Sequence, residues 1–549
     1  MDFSFRGVEF HSNRIWQLAQ VEQAMDFMQR FSMNALIFHQ NDLIDQLVFP
    51  LKYFSDDLMW KRWPVRMHTI YNNRKYINKI IRDAGRRNID LYLEVKEISF
   101  PDSMLELIPK LRNTDGTICP NNPFWIDLAT ERIEELCEAV PGLAGIIVSL
   151  GTRESKVSIS AGECHCERCQ NTSRENWYYE IMKALYEPLN KSGKKLIVRD
   201  FSYTALDQSM IVQAAKRCSP DIAIALKVTP HDFYPTFPTN PKIGHVGQQP
   251  QYVEFDTWGQ FYGMGVFPAS IAGDIKSRLI ECRKKGVNGV WFRTDWEVMY
   301  ESSVANSLNM LNLYAGAMLS SDTDTKLDDI YRTWAENGIS SPMQSGSYLG
   351  KLVKPTNPEA YKFLRAFMEA SWLVMVKSSY VRGHVFMEDC QTPDTLKKAY
   401  DMMVNIHGRD QWEPGASKLV EATKENIKII LEEKTEAKEL LSKLPEILNV
   451  EQLGLPRETV DELEIMMDLY NYYVYAIDVS AKACFLTQCA INDSSTENIE
   501  AAKKTLPELI ECKERIIKRL EGTEYPHYIY WLLDESRLEK LHEDLSRLL

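Results

Sequence analysis

The sequence is poor in the features that mark exported, membrane-spanning and nucleic-acid-binding proteins. Its N-terminus lacks a basic segment followed by an apolar one, and no run approaches the roughly 18 consecutive apolar residues of a membrane span. The formal net charge is −13, so no broad basic face is predicted. We therefore expect neither nucleic acid nor an anionic membrane as a partner, and we expect a cytoplasmic protein.

A disulfide framework is not indicated either. The 549-residue chain has 11 cysteines, an odd number, and most are scattered, which is typical of a reducing compartment. We find no internal repeat and no low-complexity linker. Hydrophobic residues make up 44% of the chain, which is enough for large cores.

Short β-like runs alternate with amphipathic helical stretches over the first 320 residues. Eight strands with helical crossovers between them predict a parallel sheet closed into a (β/α)₈ TIM barrel. The predicted strands are Gly7–Phe10, Ala35–His39, Asp90–Val95, Gly145–Leu150, Lys195–Arg199, Ile222–Lys227, Tyr252–Phe255 and Gly289–Arg293. Helical patterns between them include Asn73–Arg87, Thr130–Ala139, Trp177–Lys191 and Ile271–Lys285.

After about residue 320 the strand patterns end and long helical periodicity takes over. Leu463 to Leu486 is a long apolar stretch rich in tyrosine, and a charged helix before it carries an apolar face. We predict two domains, a (β/α)₈ catalytic barrel over residues 1–320 and an all-helical C-terminal domain over residues 321–549. The fold class is α/β.

Polar or ionisable residues follow several predicted strands. In barrels of this type the chemistry lies at the C-terminal ends of the strands, so this placement indicates a site, although loops are polar in any case. These residues include His39 to Asp42, Glu94 to Glu97, Glu154, Arg199, Asp200, Lys227 and Asp295.

Four segments carry the candidate chemistry. GIIVSLGTRE at 145–154 delivers Glu154, and LIVRDFSY at 196–203 delivers Arg199. In ALKVTPHDF at 225–233, Lys227 ends the sixth strand and Asp232 follows it, and Gln260 lies in EFDTWGQFYG at 254–263.

In order and spacing, these segments resemble the α-glucuronidases of glycoside hydrolase family 67. The resemblance covers roughly residues 140–320 in register and includes WFRTDWE at 291–297 with ANSLNMLNLY at 305–314, which match the eighth strand and following helix. The family usually carries an N-terminal β-sandwich domain as well, and we see none before the first predicted strand.

The resemblance implies a role for each matching residue. Glu154 is implied as the general acid, and Arg199 and Lys227 as the cations that hold a uronic-acid carboxylate. Asp232 falls on one of the two carboxylates that activate water, while the other is replaced by Gln260. An amide takes no proton from water, so Asp232 is the sole base, or Glu254 or Asp256 contributes, or the reaction differs.

The residue types are consistent with this chemistry without the family. Inverting glycoside hydrolysis needs an acid and an opposed carboxylate base about 6.5–9.5 Å apart. Arginine holds a carboxylate bidentately and lysine adds a point charge, and an acidic protein needs such local positive charge for an anionic sugar. Each has an alternative: Glu154 as a loop carboxylate, Arg199 and Lys227 as ion-pair partners of Asp200 and Glu254, and Asp232 as a turn cap.

Further substrate-binding candidates are His39, Gln260, Trp258, Asp295 and Trp296. His39 is placed to donate to sugar hydroxyls, and Trp258 and Trp296 to stack on sugar rings, although packing is an equally good explanation for a tryptophan.

A separate motif, CHCERC at 164–169, combines three cysteines with a histidine. Cys164, Cys166 and Cys169 are candidate ligands of a structural zinc, with Cys119 as a fourth, but only half of the usual pair of knuckles is visible. The alternative is a cysteine-rich loop with free thiols. We predict no cofactor and no catalytic metal.

The leading functional hypothesis is hydrolysis, with inversion, of α-linked glucuronic acid or its 4-O-methyl derivative from a small, acidic oligosaccharide. One alternative is an exo-glycosidase for another sugar, similar to an N-acetylhexosaminidase. The other is a carbohydrate-binding pseudoenzyme that keeps the pocket and has lost the base. The resemblance also implies a homodimer formed through the helical domain.

Overall fold

The computed structural model describes residues 3–299, 301–340, 343 and 352–549. Eight parallel strands close into a barrel in chain order, and the first pairs with the last. The strands are β1 (Phe5–Phe10), β2 (Ala35–His39), β3 (Asp90–Lys96), β4 (Gly145–Leu150), β5 (Lys195–Asp200), β6 (Ala223–Lys227), β7 (Gln251–Asp256) and β8 (Gly289–Arg293). The predicted barrel is confirmed, and each strand lies within two residues of its predicted bounds.

Helices follow the strands and then make up most of the rest of the chain. Up to β8 they are Leu18–Arg30, Asp56–Arg62, Pro64–Gly85, Ser103–Leu107, Phe124–Ala139, Glu167–Asn171, Arg174–Lys191, Ala205–Cys218 and Ala272–Lys284. After β8 they are Met310–Ser321, Leu327–Asn337, Ala360–Ser379, Leu396–Tyr400, Lys424–Leu448, Arg457–Asn492, Thr496–Lys503, Leu506–Leu520, His527–Leu532 and Glu535–Leu548. The predicted helical C-terminal region is confirmed.

Local sequence explains why the strands close as they do. The strands are runs of β-branched and aromatic residues buried on both faces, as expected of a parallel sheet covered by helices. The start of β8 faces β1 so closely that a Cβ on Gly289 would lie 2.4 Å from the Cβ of Phe5. Glycine is therefore required where these two strands close the barrel.

The lower part of the barrel is filled by apolar side chains from all eight strands. Phe5 stacks on Tyr252 with ring centroids 4.6 Å apart, and Trp291 meets Phe5 edge to face. Smaller residues alternate with these rings, which lets the layers interdigitate. The cluster consists of Phe5, Ala35, Ile37, Tyr92, Ile147, Ile197, Ala223, Ala225, Tyr252 and Trp291.

By its contacts the chain divides into two compact units, each built from several segments. The barrel unit comprises residues 1–231, 240–255 and 280–293, and the helical unit comprises residues 232–239, 256–279 and 294–549. The division predicted at residue 320 stays a prediction, because the units follow contacts and not sequence order.

Within the helical unit the longest helices pack on one another. In the Lys424–Leu448 helix, the ammonium group of Lys434 donates to the backbone carbonyl of Ser378 at 3.0 Å, at the end of the Ala360–Ser379 helix.

The 36-residue helix Arg457–Asn492 is, among the described residues, the one long and apolar enough to cross a membrane. Most of its apolar part is buried inside the protein, which is typical of a core helix. Two short antiparallel pairs, Ile339–Ser340 with Leu352–Val353 and Tyr380–Val381 with His384–Val385, complete the helical unit.

Candidate active site

A layer of charged side chains lies above the apolar layers of the barrel. The strands place every second side chain on the barrel interior, so a polar residue two positions after an apolar interior residue points the same way. All of these groups are buried. The layer consists of Glu9, His39, Glu94, Ser149, Arg199, Lys227, Glu254 and Arg293.

Arg199 and Glu254 form the central ion pair of this layer. The Nε of Arg199 donates to one Glu254 oxygen at 2.6 Å and a terminal nitrogen donates to the other at 2.9 Å. The remaining terminal nitrogen donates to the Ser149 hydroxyl at 3.1 Å. Burial alone would raise the pKa of Glu254, but the Arg199 guanidinium outweighs it and holds that pKa below its usual value. The ion-pair alternative for Arg199 is thus favoured over a contact with the substrate carboxylate.

Glu9 and His39 share a second buried contact. The Nδ1 of His39 lies 2.8 Å from one Glu9 oxygen, and the indole of Trp291 donates to the other at 2.8 Å. The imidazole stacks on His11 with 3.7 Å between ring centroids. Burial, followed by the charges of Glu254 and Glu94, raises the pKa of Glu9. Burial, followed by His11 and nearby cations, lowers the pKa of His39, so the ring is neutral. His39 is therefore part of the buried layer and not an exposed donor to sugar hydroxyls.

Glu94 is the third carboxyl of the layer. It accepts from the Ser149 hydroxyl at 2.9 Å, and its nearest oxygen lies 3.2 Å from the Nε of Arg199. Burial raises its pKa to about 7, even though Arg199 opposes the shift. Burial thus raises the pKa of both Glu9 and Glu94, in contrast to Glu254, whose pKa is lowered beside Arg199.

Cations surround Phe201, a half-buried ring that directly follows β5. The ammonium groups of Lys96 and Lys227 lie 3.8 and 3.9 Å from its centroid, and the Arg199 guanidinium carbon lies 4.9 Å away. Lys96 is almost fully buried and pairs with Glu154 at 2.9 Å. The Glu154 side chain keeps 39% of its surface exposed, so it combines access to solvent with a fixed cationic partner. We name Lys96, Arg199 and Lys227 around Phe201 the cation cluster.

The loop that carries Glu154 is held from below by a buried acid. Glu97, one residue after β3, accepts the backbone N–H of Gly151 at 2.7 Å. Burial raises the pKa of Glu97 to about 8, although hydrogen bonds from Ser158 and Gly151 act in the opposite direction. The start of the Glu154 loop is therefore tied to β3 by a carboxyl that is largely protonated at neutral pH.

In the helical unit, the segment after β7 forms a tight turn around Asp256. Its carboxylate accepts the backbone N–H groups of Trp258, Gly259 and Gln260 at 3.0 to 3.1 Å. Trp258 is fully buried and donates to Ser302 at 2.9 Å. Packing is thus favoured for Trp258, which offers no face to a sugar, and Asp256 is occupied as a turn cap and not placed as a base.

Gln260 contacts a carboxylate that the sequence analysis missed. Its amide nitrogen donates to Asp389 at 2.9 Å, across 129 residues of sequence. Asp389 is half-buried and has a positive φ of 52°, and its carbonyl accepts the Trp531 indole at 3.3 Å. Trp531 in turn meets the predicted Trp296 edge to face, with centroids 6.0 Å apart, and both rings are half-buried. Trp296 and Trp531 thus form an aromatic pair next to the hydrogen-bonded Asp389.

The remaining predicted residues also lie in the helical unit. Asp232 is half-buried, has a positive φ of 44°, and places its carboxylate within 4.8 Å of a ring nitrogen of His407. Asp295 is fully buried directly after β8, beside the hydroxyl of Thr294. Glu154 and Asp232 belong to different units, so their opposition across a substrate stays a prediction.

The residues that sequence reasoning missed differ in the signal they carried. Lys96 falls within the strand-end run Glu94 to Glu97 but is assigned no role by the sequence, although the strand period places both Glu94 and Lys96 on the barrel interior. Asp389 and Trp531 lie in helical sequence far from the barrel strands, and no spacing links them to Gln260.

Comparisons with known proteins bear on the fold. No protein-family model matches the sequence, and no curated protein matches it. Among solved structures, a GH138 enzyme targeting pectin rhamnogalacturonan II is 14% identical, with a TM-score of 0.64 over 95% of this chain and 62% of the other. The chain therefore spans less than two thirds of that protein.

Two further glycoside hydrolases match at lower TM-scores. An O-GlcNAc hydrolase from Thermobaculum terrenum is 12% identical, with a TM-score of 0.44 over 98% of this chain and 94% of the other. A β-N-acetylhexosaminidase from Bacteroides fragilis is 12% identical, with a TM-score of 0.40 over 60% of this chain and 69% of the other. Both TM-scores are below 0.5, so no conclusion about this chain rests on these two structures. The first comparison shows a shared fold, and the likeness to family 67 stays a prediction.

The contribution of the Arg199–Glu254 ion pair to the free energy of unfolding can be measured. Arg199→Ala leaves Glu254 buried without its cation, and we expect the free energy of unfolding to fall by about 3–5 kcal/mol in urea denaturation followed by circular dichroism. As a control, Lys52→Ala removes an exposed pair with Glu131 and should leave the free energy nearly unchanged. Equal losses in the two variants would contradict a structural role for Arg199.

The buried acid under the Glu154 loop predicts a pH dependence. The folded protein keeps a proton on Glu97 up to about pH 8, whereas the unfolded chain loses it near the usual pKa of 4.5. The stability that this proton contributes is full below the unfolded pKa and is lost as the pH rises to about 8. Glu97→Gln, which mimics the protonated form, should therefore gain in melting temperature over the wild type as the pH rises through this window.

The matched control for Glu97 is Glu134→Gln, which changes an exposed glutamate on the Phe124–Ala139 helix. Its melting-temperature difference from the wild type should stay constant across the same pH series. A constant difference for Glu97→Gln as well would show that the Glu97 carboxyl is not protonated in the folded state.

Proposed function

We propose that this protein is a glycoside hydrolase that removes an acidic sugar from an oligosaccharide. The observation that carries the proposal is the cation cluster beside Glu154 at the C-terminal end of the barrel strands. In a barrel of this class that end is where substrates bind. The shared fold with a GH138 enzyme, described as targeting a pectin polysaccharide, supports the reaction class but does not define the sugar.

The positive charge of the cation cluster supports the proposal of an anionic substrate. The whole chain has a net charge of −13, yet buried cations gather around one ring after β5. A carboxylate on the sugar gains most from cations that are already desolvated and held in place, because little further reorganisation is needed. Lys227 is the main candidate for this contact because its ammonium group lies at the Phe201 ring, although its charge also acts on Glu254 and Asp200.

The proposed residue roles combine the family 67 resemblance with contacts inside each unit. Glu154 is the candidate general acid, and Lys96 positions its carboxylate. Asp232 is the candidate base that activates water, with inversion of the sugar configuration. Asp389, held by Gln260, is a second carboxylate for this role, and Trp296 with Trp531 is the candidate stacking surface. The first substrate to test is α-linked glucuronic acid or its 4-O-methyl derivative, as the family 67 resemblance implies.

The acidic-sugar proposal is tested with matched pairs of aryl glycosides. We expect kcat/KM for a uronide to exceed that for the neutral sugar of the same linkage, because only the uronide reaches the cation cluster. Lys227→Met should remove about 10-fold or more of this preference, mainly by raising KM. The exposed Lys52→Met serves as the control and should leave both substrates unaffected. Neutral or N-acetylated sugars turned over faster than uronides would overturn the acidic class.

The acid and base roles can be distinguished with substrates whose leaving groups differ in their need for protonation. Glu154→Gln should lose about 10²–10⁴-fold in kcat on an oligosaccharide, but less on an aryl glycoside whose phenolate leaves without protonation. Asp232→Asn should lose a comparable factor on both substrates, because the attacking water is no longer deprotonated.

Two further variants complete this test. The exposed Asp324→Asn is the control for the carboxylate substitutions and should retain full activity. Asp389→Asn should retain more activity than Asp232→Asn. The reverse order would transfer the base role to Asp389, and an active Glu154→Gln on oligosaccharides would refute Glu154 as the acid.

A further inference from the structure

Four cysteine sulfurs converge in the barrel unit, away from the cation cluster. Cys119 comes from the connection after β3, and Cys164, Cys166 and Cys169 come from the connection after β4. Their Sγ atoms all lie within 4.8 Å of one another. Cys119 lies 3.6 Å from Cys166 and 3.5 Å from Cys169. Folding thus brings together the half motif at 164–169 and a single distant cysteine.

We propose that these four cysteines bind one structural zinc ion. Tetrahedral zinc takes sulfur ligands at about 2.3 Å, which places the sulfurs roughly 3.8 Å apart. The observed separations are close to this value and far longer than the roughly 2.05 Å of a disulfide bond. A closed set of four thiolates leaves no open position for a substrate, so the ion is structural and not catalytic.

The groups around the sulfurs are those expected next to metal thiolates. The side-chain amide of Asn113 donates to Cys164 at 3.5 Å, and that of Asn121 donates to Cys169 at 3.3 Å. Donors of this kind orient ligands and stabilise negative charge on sulfur. The Asn113 amide also donates to the Thr117 hydroxyl at 2.9 Å, so its direction is set by a second contact.

The Cys119 segment is anchored to the body of the barrel unit. The indole of Trp125 donates to the carbonyl of Cys119, and the indole of Trp177 donates to that of Pro120, each at 3.0 Å. Both tryptophans are buried in helices that cover the barrel. The Cys119 segment is therefore held in place by hydrogen bonds from two buried tryptophans.

The other three ligands lie on a connection with little regular structure. Between β4 and the Arg174–Lys191 helix it holds only a short 3-10 turn, Ile159–Ala161, and a five-residue helix, Glu167–Asn171, that buries none of its residues. Val157 and Ile159 anchor the middle of this connection in the core, whereas the helix that carries Cys169 has no buried residue, and a metal cross-link would restrain that part. Glu154 precedes these two anchors on the same connection.

The experiment measures metal in the intact protein. Purified wild-type protein from zinc-replete medium should contain one zinc per chain by elemental analysis. Cys119→Ser and Cys169→Ser should each reduce the zinc content to a small fraction, while Cys218→Ser, a half-buried cysteine outside the cluster, should retain one zinc. Cobalt substituted for zinc should show the visible bands of a tetrahedral thiolate site.

Independent outcomes would overturn the proposal. These are wild-type protein without zinc, iron in place of zinc at one per chain, or disulfides among the four cysteines found by mass spectrometry. A strong chelator should also lower the melting temperature of the wild type and of Cys218→Ser, and an unchanged melting temperature would count against the ion. Because the wild-type metal content is decisive, the test stands even where a cysteine variant fails to fold.

Discussion

The buried pair of Arg199 and Glu254 is the contact on which the upper half of the barrel depends. Both side chains are removed from water, and each would be costly to bury alone. Their bidentate geometry and the added bond to Ser149 compensate that cost. The charge of Arg199 then limits how far burial raises the pKa of the neighbouring Glu94. Arg199 thus acts on two carboxyl groups, Glu254 through two hydrogen bonds and Glu94 through a contact of 3.2 Å.

This arrangement places a network of mutually bound side chains beneath the group that the Phe201 ring collects. Arginine, glutamate and histidine at the strand ends are tied to each other inside the barrel. Lys96 and Lys227 meet at the Phe201 ring, where Glu154 reaches solvent. A buried charged layer next to one solvent-exposed carboxylate, Glu154, favours preorganised chemistry, because the buried polar groups need not reorient during the reaction.

The connections after the strands are stabilised by different means. A buried carboxyl, Glu97, binds the start of the Glu154 loop, and the proposed zinc site restrains its distal part. In the helical unit a single aspartate, Asp256, caps the turn that contains Trp258 and Gln260. Loops without an apolar core of their own need such polar or metal contacts, since backbone groups that leave a strand must find new partners.

The sequence by itself determined the barrel and the helical region, because strand and helix periods and the order of elements are local properties. It also placed Glu154, Arg199 and Lys227 at strand ends. Tertiary structure decided what those side chains contact: Arg199 binds Glu254, Trp258 packs, and Gln260 holds Asp389. The sequence offered Cys119 as a fourth zinc ligand, and tertiary structure brought it to the other three cysteines. The Trp296–Trp531 pair arises from a contact between distant segments, for which a single sequence carries no periodic signal.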